Sequence, residues 1–433
     1  MKKVITYGTF DLFHLGHYNI LKRAKEYGDY LIVGVTGENY DIGRGKLSVH
    51  DSLAQRIENV YKTGLADQIV VEEYLGQKIG DIIRYGVDTF VIGDDWRGKF
   101  DHLSRYCNMV YLERTEGISS TQIREESFRI YNIGIVADTD NDNQIVKEAK
   151  KISGFEVKSF YSENREIAKK FSENYDIENN CSTFNELIDN SDIVYVRNAV
   201  EDKEKYIRQA LSAGKHVIAD PPFTTSAREL RSLYQIADEN NVILIENTKM
   251  NHIYVFNQLL WMTQGGLIGD ILSFNCSVSR IDKYRKNLFY DLLSYALCPM
   301  LKIMGLDYVS SDIKLYKGAD GTINFASIQF DYKGARATLN IGDKIRVSNQ
   351  LEIIGTEGTI RCHGNWWRGN YFEVEKPDQD ELEIFNTNYA GNGFKYLLKD
   401  LYNMLENGRR EYLGGFREQI KMAEIIDDIK NCN

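Results

Sequence analysis

Hydrophobic positions along this chain change texture twice. Up to Glu113, short unbroken apolar runs alternate with stretches of helical periodicity. Val4 and Ile5 sit in a first run at residues 1–6, followed by residues 30–36 (YLIVGVT), 69–72, 89–92 and 110–113. Such runs mark strands buried on both faces of a parallel sheet. Between them, residues 18–27 gather Ile20, Leu21 and Ala24 on one side. Residues 51–63 do the same with Leu53, Ile57 and Val60, and residues 79–85 continue the pattern, so each predicts a helix. The alternation restarts at Tyr131, with strands expected at 131–137, 156–160, 191–196 and 216–219 and helices at 142–152 and 205–213. From about Gly269 the period drops to two, in residues 271–279, 326–332, 337–341 and 350–354, with helices expected at 288–304, 393–406 and 415–431. The fold class that follows is α/β: a doubly wound parallel sheet, a second one, then a C-terminal α+β part with a largely antiparallel sheet. The expected domains are residues 1–129, 130–250 and 251–433.

Composition narrows the partners. A length of 433 residues suits two or three domains, and 43% hydrophobic with 27% charged residues is ordinary for a globular chain. The net charge is −10 and no basic run offsets it, which argues against nucleic acid. Phosphorylated substrates would need local basic pockets. The six cysteines are scattered with no C-x-x-C pair, which fits reduced thiols better than a disulfide framework or a metal site. No stretch approaches the roughly 20 apolar residues of a membrane span, and the start reads as a strand and not a signal peptide. The expected location is the cytoplasm, with no membrane partner.

Candidate chemistry concentrates in the first turn, residues 6–17 (TYGTFDLFHLGH). A strand that feeds a helix through such a turn aims backbone N–H groups and the positive end of the helix dipole at one point, which suits a phosphate. His14 and His17, three apart at the helix entrance, can lie on one face above it. Gly16 between them lets a ligand approach the backbone. Taken singly, these histidines and glycines also suit core packing and turn punctuation. A second stretch, residues 114–124 (RTEGISSTQIR), sets Arg114 before a glycine turn, then opens a predicted helix with Ser119, Ser120 and Thr121. Those hydroxyls can cap the helix or bind phosphate oxygens. The polar loop at 37–49 carries Arg44 and Lys46. Asp94 and Asp95 fall at the carboxyl end of a predicted strand, where they can hold Mg²⁺, help hold a nucleotide or cap a helix.

Together GTFDLFHLGH, GDDWRGKF (residues 93–100) and RTEGISSTQIR resemble the glycerol-3-phosphate cytidylyltransferase family of the nucleotidyltransferase superfamily, over about the first 125 residues. The resemblance implies a Rossmann-like domain that uses CTP and a polyol phosphate, with Mg²⁺ arriving largely on the nucleotide. It implies catalytic roles for His14, His17, Lys46 and Arg114. It assigns Gly8, Thr9, Phe10, Asp11, Gly16, Arg56, Asp94, Thr115, Ser119 and Thr121 to the nucleotide and substrate, with Trp96 and Lys99 nearby. The implied reaction is in-line attack of an alcohol phosphate on the α-phosphorus of CTP, which positioning and charge neutralisation suffice to promote.

From residue 131 on, GKHVIADPPFT, GLIGDI and IIGTEGTIR resemble the glucose-fructose oxidoreductase / inositol dehydrogenase family. That resemblance implies a second Rossmann-like domain with a sheet domain after it, but its functional signatures are altered. The first turn reads GIVADTD (residues 134–140), with one glycine where a pyrophosphate cradle has three and with aspartates beside it. The family's E-K-P stands as Asp220-Pro221-Pro222, and its D-x-x-x-H as Asp291 to Tyr295. Lys249 and His252 are the nearby residues able to stand in. The expectation is a degenerate module without redox activity, serving as scaffold, dimer platform or effector site. The alternative is an NAD(P)-dependent reductase that makes the polyol phosphate. A homodimer is expected.

Overall fold

The computed structural model describes residues 1–37, 49–74, 76–113, 129–139, 143–150, 152, 154–281, 288–379, 381–386, 393–408 and 415–431. Arg44, Lys46, Arg114, Thr115, Ser119 and Thr121 lie outside them. The chain divides into two compact units, the first built on Met1–Ile130 and the second on most of the chain from Tyr131.

The first unit runs β1 (Lys3–Gly8), α1 (Leu15–Lys25), β2 (Tyr30–Thr36), α2 (Leu53–Lys62), β3 (Gln68–Glu72), α3 (Gln77–Tyr85), β4 (Thr89–Gly93) and β5 (Asn108–Leu112). Its strands pair in parallel in the order β3-β2-β1-β4-β5. The apolar runs explain this. Val4, Val33, Val35 and Val91 bury one face of the sheet under Leu21 and Ala24 of α1 and Val60 of α2. Ile5, Ile32, Phe90 and Ile92 bury the other under Ile82 of α3. The strand order reverses between β1 and β4, so the crevice for a ligand opens where those strands end, beyond Gly8 and Gly93.

The second unit begins with β6 (Tyr131–Val136), α4 (Asn143–Ala149), β7 (Phe155–Tyr161), α5 (Arg165–Tyr175), β8 (Asn179–Asn180), α6 (Phe184–Asp189), β9 (Ile193–Val196), α7 (Val200–Ser212), β10 (His216–Ala219), α8 (Ala227–Glu239) and β11 (Leu244–Glu246). These strands are parallel in the order β11-β10-β9-β6-β7-β8. After α9 (Tyr254–Gln264) come β12 (Ile271–Arg280), α10 (Phe289–Met304), β13 (Ser310–Lys317), β14 (Ile323–Tyr332), β15 (Ala335–Asp343), β16 (Gln350–Gly355), β17 (Thr359–His363), β18 (Tyr371–Glu375), β19 (Glu383–Asn386), α11 (Phe394–Asn407) and α12 (Phe416–Asn431). This third sheet is antiparallel except for the β12–β15 pair. Phe274, Cys276 and Val278 alternate toward a core with Leu293, Ala296 and Leu297 of α10, while Asn275 and Ser277 point the other way.

Candidate functional site

The first helix begins at Leu15, three residues earlier than the apolar pattern predicts, because His14 caps it. The Gly16 N–H donates to His14 Nδ1 at 3.0 Å. With Nδ1 accepting, the neutral ring carries its proton on Nε2. His17 falls in the first turn of α1 and its ring stacks on that of His14, with centroids 4.0 Å apart and planes 21° from parallel. Phe10 meets His17 edge-on at 5.6 Å and Phe13 lies at 5.5 Å. The two imidazoles therefore form one packed unit at the positive end of a helix, beside the switch point of the sheet.

The turn that delivers them is strained and held. Phe10 and Leu12 adopt φ values of 55° and 47°, in the left-handed region that L residues avoid. Phe10 is buried over Gly8, where a Cβ would meet its ring at 3.0 Å. Asp11, 1% exposed, accepts from the backbone N–H of His50 and of Asp51, each at 2.9 Å. Asp51 returns the contact, its carboxylate accepting from Leu12 N–H at 3.1 Å. The Asp11 carboxylate thus fastens the turn to the entrance of α2.

Arg56, which the family resemblance assigns to the substrate side, is 0% exposed and donates to three carbonyls. Nη1 reaches Thr9 O at 3.0 Å and Thr36 O at 2.7 Å, and Nε reaches Asp51 O at 3.1 Å. Those carbonyls lie beyond β1, at the end of β2 and before α2, so the guanidinium draws three segments together behind the turn. Thr9, 7% exposed, joins this net through its carbonyl.

Across the switch point, Asp94 opens a short 3₁₀ turn after β4, and its Oδ1 accepts from Arg97 Nε at 2.6 Å. Lys99 Nζ stands 4.9 Å from the Trp96 ring centre. Among the described residues no group of three or more His, Cys, Asp or Glu side chains is gathered to hold a metal ion. Sequence reasoning missed a buried polar net at the same end of the sheet. Tyr7 Oη donates to Asp81 Oδ2 at 2.7 Å, Gln77 Nε2 donates to the same oxygen at 3.1 Å, and Lys78 pairs with Glu72. Lys78 Nζ also lies 4.5 Å from the Tyr7 ring centre. Burial and the adjacent Asp81 push the Tyr7 phenol far above its usual range. The signal available in advance was a lysine and an aspartate on the apolar side of α3.

In the second unit the switch point lies between β6 and β9. Gly134, the one glycine of the altered fingerprint, is inside β6, where a Cβ would meet Ser191 Oγ at 2.1 Å. It serves packing and not a phosphate turn. Asp138, just past β6, accepts at 3.0 Å from the Ala199 N–H that opens α7. Arg197, 8% exposed, brings Nε to 3.6 Å from Asp220 Oδ2. Asp220 Oδ1 accepts from Tyr195 Oη at 2.6 Å and Asn247 Nδ2 at 2.8 Å, and Lys203 Nζ donates to the carbonyls of Asp220 and Pro222. A dinucleotide pyrophosphate needs open backbone amides at this crevice. Here the Asp138 carboxylate takes the amide that opens α7 and places negative charge at the crevice, while residues 140–142 of the turn after β6 lie outside the described residues. His252 is likewise engaged, its Nδ1 lying 2.5 Å from Asp400 Oδ2. Burial, with Asp220 and Asp291 nearby, raises the Tyr295 phenol well above its ordinary value.

The parallel α/β sheet agrees with comparison to known proteins. Residues 5–126 match the model of the cytidylyltransferase-like family, and this part of the chain is a nucleotidyltransferase. More narrowly, through these residues the chain belongs to the glycerol-3-phosphate cytidylyltransferase family. It is 52% identical to glycerol-3-phosphate cytidylyltransferase of Bacillus spizizenii over 126 residues, 29% of this chain and 97% of that protein. Residues 134–248 match the oxidoreductase family with an NAD-binding Rossmann fold. This half is 26% identical over 250 residues to dTDP-3,4-didehydro-2,6-dideoxy-alpha-D-glucose 3-reductase of Actinomadura kijaniata, 54% of this chain and 73% of that protein. A crystal structure of a 3-ketoreductase from the same organism, in complex with NADP and TDP-benzene, superposes with a TM-score of 0.62 at 21% identity, covering 70% of this chain and 97% of that one. At that identity the likeness is one of fold. The protein therefore joins a cytidylyltransferase domain to an oxidoreductase-like domain.

Proposed function

We propose that the first unit transfers the cytidylyl group of CTP to glycerol 3-phosphate, giving CDP-glycerol and pyrophosphate for cell-surface polymer synthesis. The observation that carries this reading is the stacked His14–His17 pair at the N-terminus of α1. The acceptor is the one named in three relatives at 44% to 52% identity, from Bacillus spizizenii, Bacillus subtilis and Staphylococcus aureus.

An oxygen of the acceptor phosphate attacks the α-phosphorus, the bond from that phosphorus to the bridging oxygen breaks, and pyrophosphate leaves with the electron pair. His14 donates from Nε2 and His17 from its ring to the α-phosphate oxygens as charge grows on them, assisted by the helix dipole. Gly8, Thr9, Phe10 and Gly16 shape the approach to the same phosphate. Lys46 and Arg114, with Thr115, Ser119 and Thr121, hold the leaving phosphates or the acceptor, and Asp94 holds the nucleotide side. Asp94 would help hold Mg²⁺ bound to the triphosphate, and the ion would supply neutralisation of the phosphate charge. Asp11 and Arg56 act by positioning the turn.

The second unit, in this reading, keeps an oxidoreductase fold without hydride transfer and serves as a scaffold in a cytoplasmic homodimer. Support comes from Pro221 in the place of the family's lysine, Tyr295 in the place of its histidine, and the carboxylate at the crevice. A panel of alcohol and sugar phosphates, each incubated with CTP and Mg²⁺ and read by pyrophosphate release, tests the acceptor. Glycerol 3-phosphate is expected to give the highest kcat/KM. A higher value for glycerol 2-phosphate or a longer polyol phosphate would replace it.

A further inference from the structure

The third sheet ends in a cavity that the cytidylyl-transfer reading does not use. Ser279, near the end of β12, points away from α10, as do Gln350 of β16 and His363 of β17, which pair in register beside it. With Ile281, residues 346–349 and the turn at 363–365, they line a depression of about 540 Å³ that is open to solvent. Small-molecule sites run from roughly 300 to 1,000 Å³.

The walls are tied together. Ser279 N–H donates to Asn349 Oδ1 at 2.7 Å, Val347 N–H donates to Ser279 Oγ at 3.1 Å, and Asn349 Nδ2 donates to Asn365 Oδ1 at 3.1 Å. The loop turns sharply after Gly342, where a Cβ would lie 2.1 Å from the Ile345 carbonyl oxygen. Lys344 takes up the turn at φ 69°.

The charge of the lining singles it out. The whole chain carries 63 acidic residues against 53 basic ones, yet none of the described residues that line this cavity is acidic, the Glu373 carboxylate standing behind His363. Arg346 and His363 are its two basic groups. His363 donates Nε2–H to Glu373 at 3.1 Å, which orients the ring from behind. Asn349, Asn365, Gln350 and Ser348 add amide and hydroxyl groups able to meet hydroxyls of a ligand.

We propose that this cavity binds a phosphomonoester bearing free hydroxyls, a polyol or sugar phosphate, with Arg346 on the phosphate and His363 Nδ1 and the amides on the hydroxyls. The test is calorimetric titration of the full-length protein with glycerol 3-phosphate, inorganic phosphate and glycerol, for the wild type and for Arg346→Ala and His363→Ala. Two classes of site for glycerol 3-phosphate are expected in the wild type. One class weakens at least tenfold in each variant, while the acceptor KM and the kcat of cytidylyl transfer stay unchanged; Arg346→Lys recovers part of the binding. Isotherms unchanged in both variants would overturn the assignment. So would a shift in acceptor KM alone, or a change in sedimentation in place of phosphate binding, which would mark the cavity as a contact between copies. The inorganic phosphate isotherms are readable even if the first unit proves inactive, so the two readings fail separately.

Discussion

His14 and His17 do different work from the residues around them, and substitution should separate the two kinds. His17→Ala removes a group assigned to the α-phosphate while leaving a surface turn of α1 intact. Turnover should fall by about two orders of magnitude or more, the scale of a lost oxyanion-type donor, with an unchanged circular dichroism spectrum. Arg56→Ala removes buried hydrogen bonds to three carbonyls. It should cost about 3 kcal/mol or more of the first unit's stability, from cavity and unsatisfied groups, seen as an earlier denaturation midpoint. An unchanged midpoint with lost activity would return Arg56 to the substrate side. The histidines were legible as a pair three apart at a helix entrance, and their assignment to the phosphate came from the family resemblance. The contacts of Asp11 and Arg56 were not, because their partners include backbone groups of segments 20 to 47 residues away in sequence.

At the scale of elements, most buried strands announced themselves, whereas polar ones and the short buried β11 did not. The run at 30–36 became β2 unchanged, whereas β13 (Ser310–Lys317) went unread because its residues lie mostly exposed at the sheet edge. The turn between β1 and α1 depends on the contact of Gly8 with Phe10. Gly8→Ala should force the ring aside, costing about 1–3 kcal/mol as overpacking does, and lower kcat by displacing the histidines; a full-activity variant with the wild-type melting point would refute this. The end of β11 carries a pH signature. Burial lifts the Glu246 carboxyl to about 7 from an ordinary 4.5, against the Thr248 hydroxyl donating to it. Since the folded value lies above the unfolded one, the contribution is whole below about 4.5 and is lost as pH rises through about 7. Glu246→Gln should remove a stability loss on the order of 3 kcal/mol between pH 5 and 8, measured as a flatter dependence of the second unit's denaturation midpoint on pH.

For the whole molecule, two modules were legible from the restart of alternation at Tyr131, and both matched known families. The sequence also showed that the second module's signatures were altered, but not that Asp138 meets Ala199, since that contact joins residues 61 apart. NADH and NADPH titrations followed by fluorescence should show no saturable binding up to millimolar concentration. Saturable binding would restore the reductase reading and make the fusion a two-step enzyme. The most direct test of the central claim is ³¹P NMR of CTP, Mg²⁺ and glycerol 3-phosphate with the wild-type chain and with His17→Ala. Wild type should form CDP-glycerol and pyrophosphate together in equal amounts, and His17→Ala should leave CTP intact over the same interval. CTP consumed at the wild-type rate by His17→Ala, or no CDP-alcohol formed by the wild type, would contradict the account.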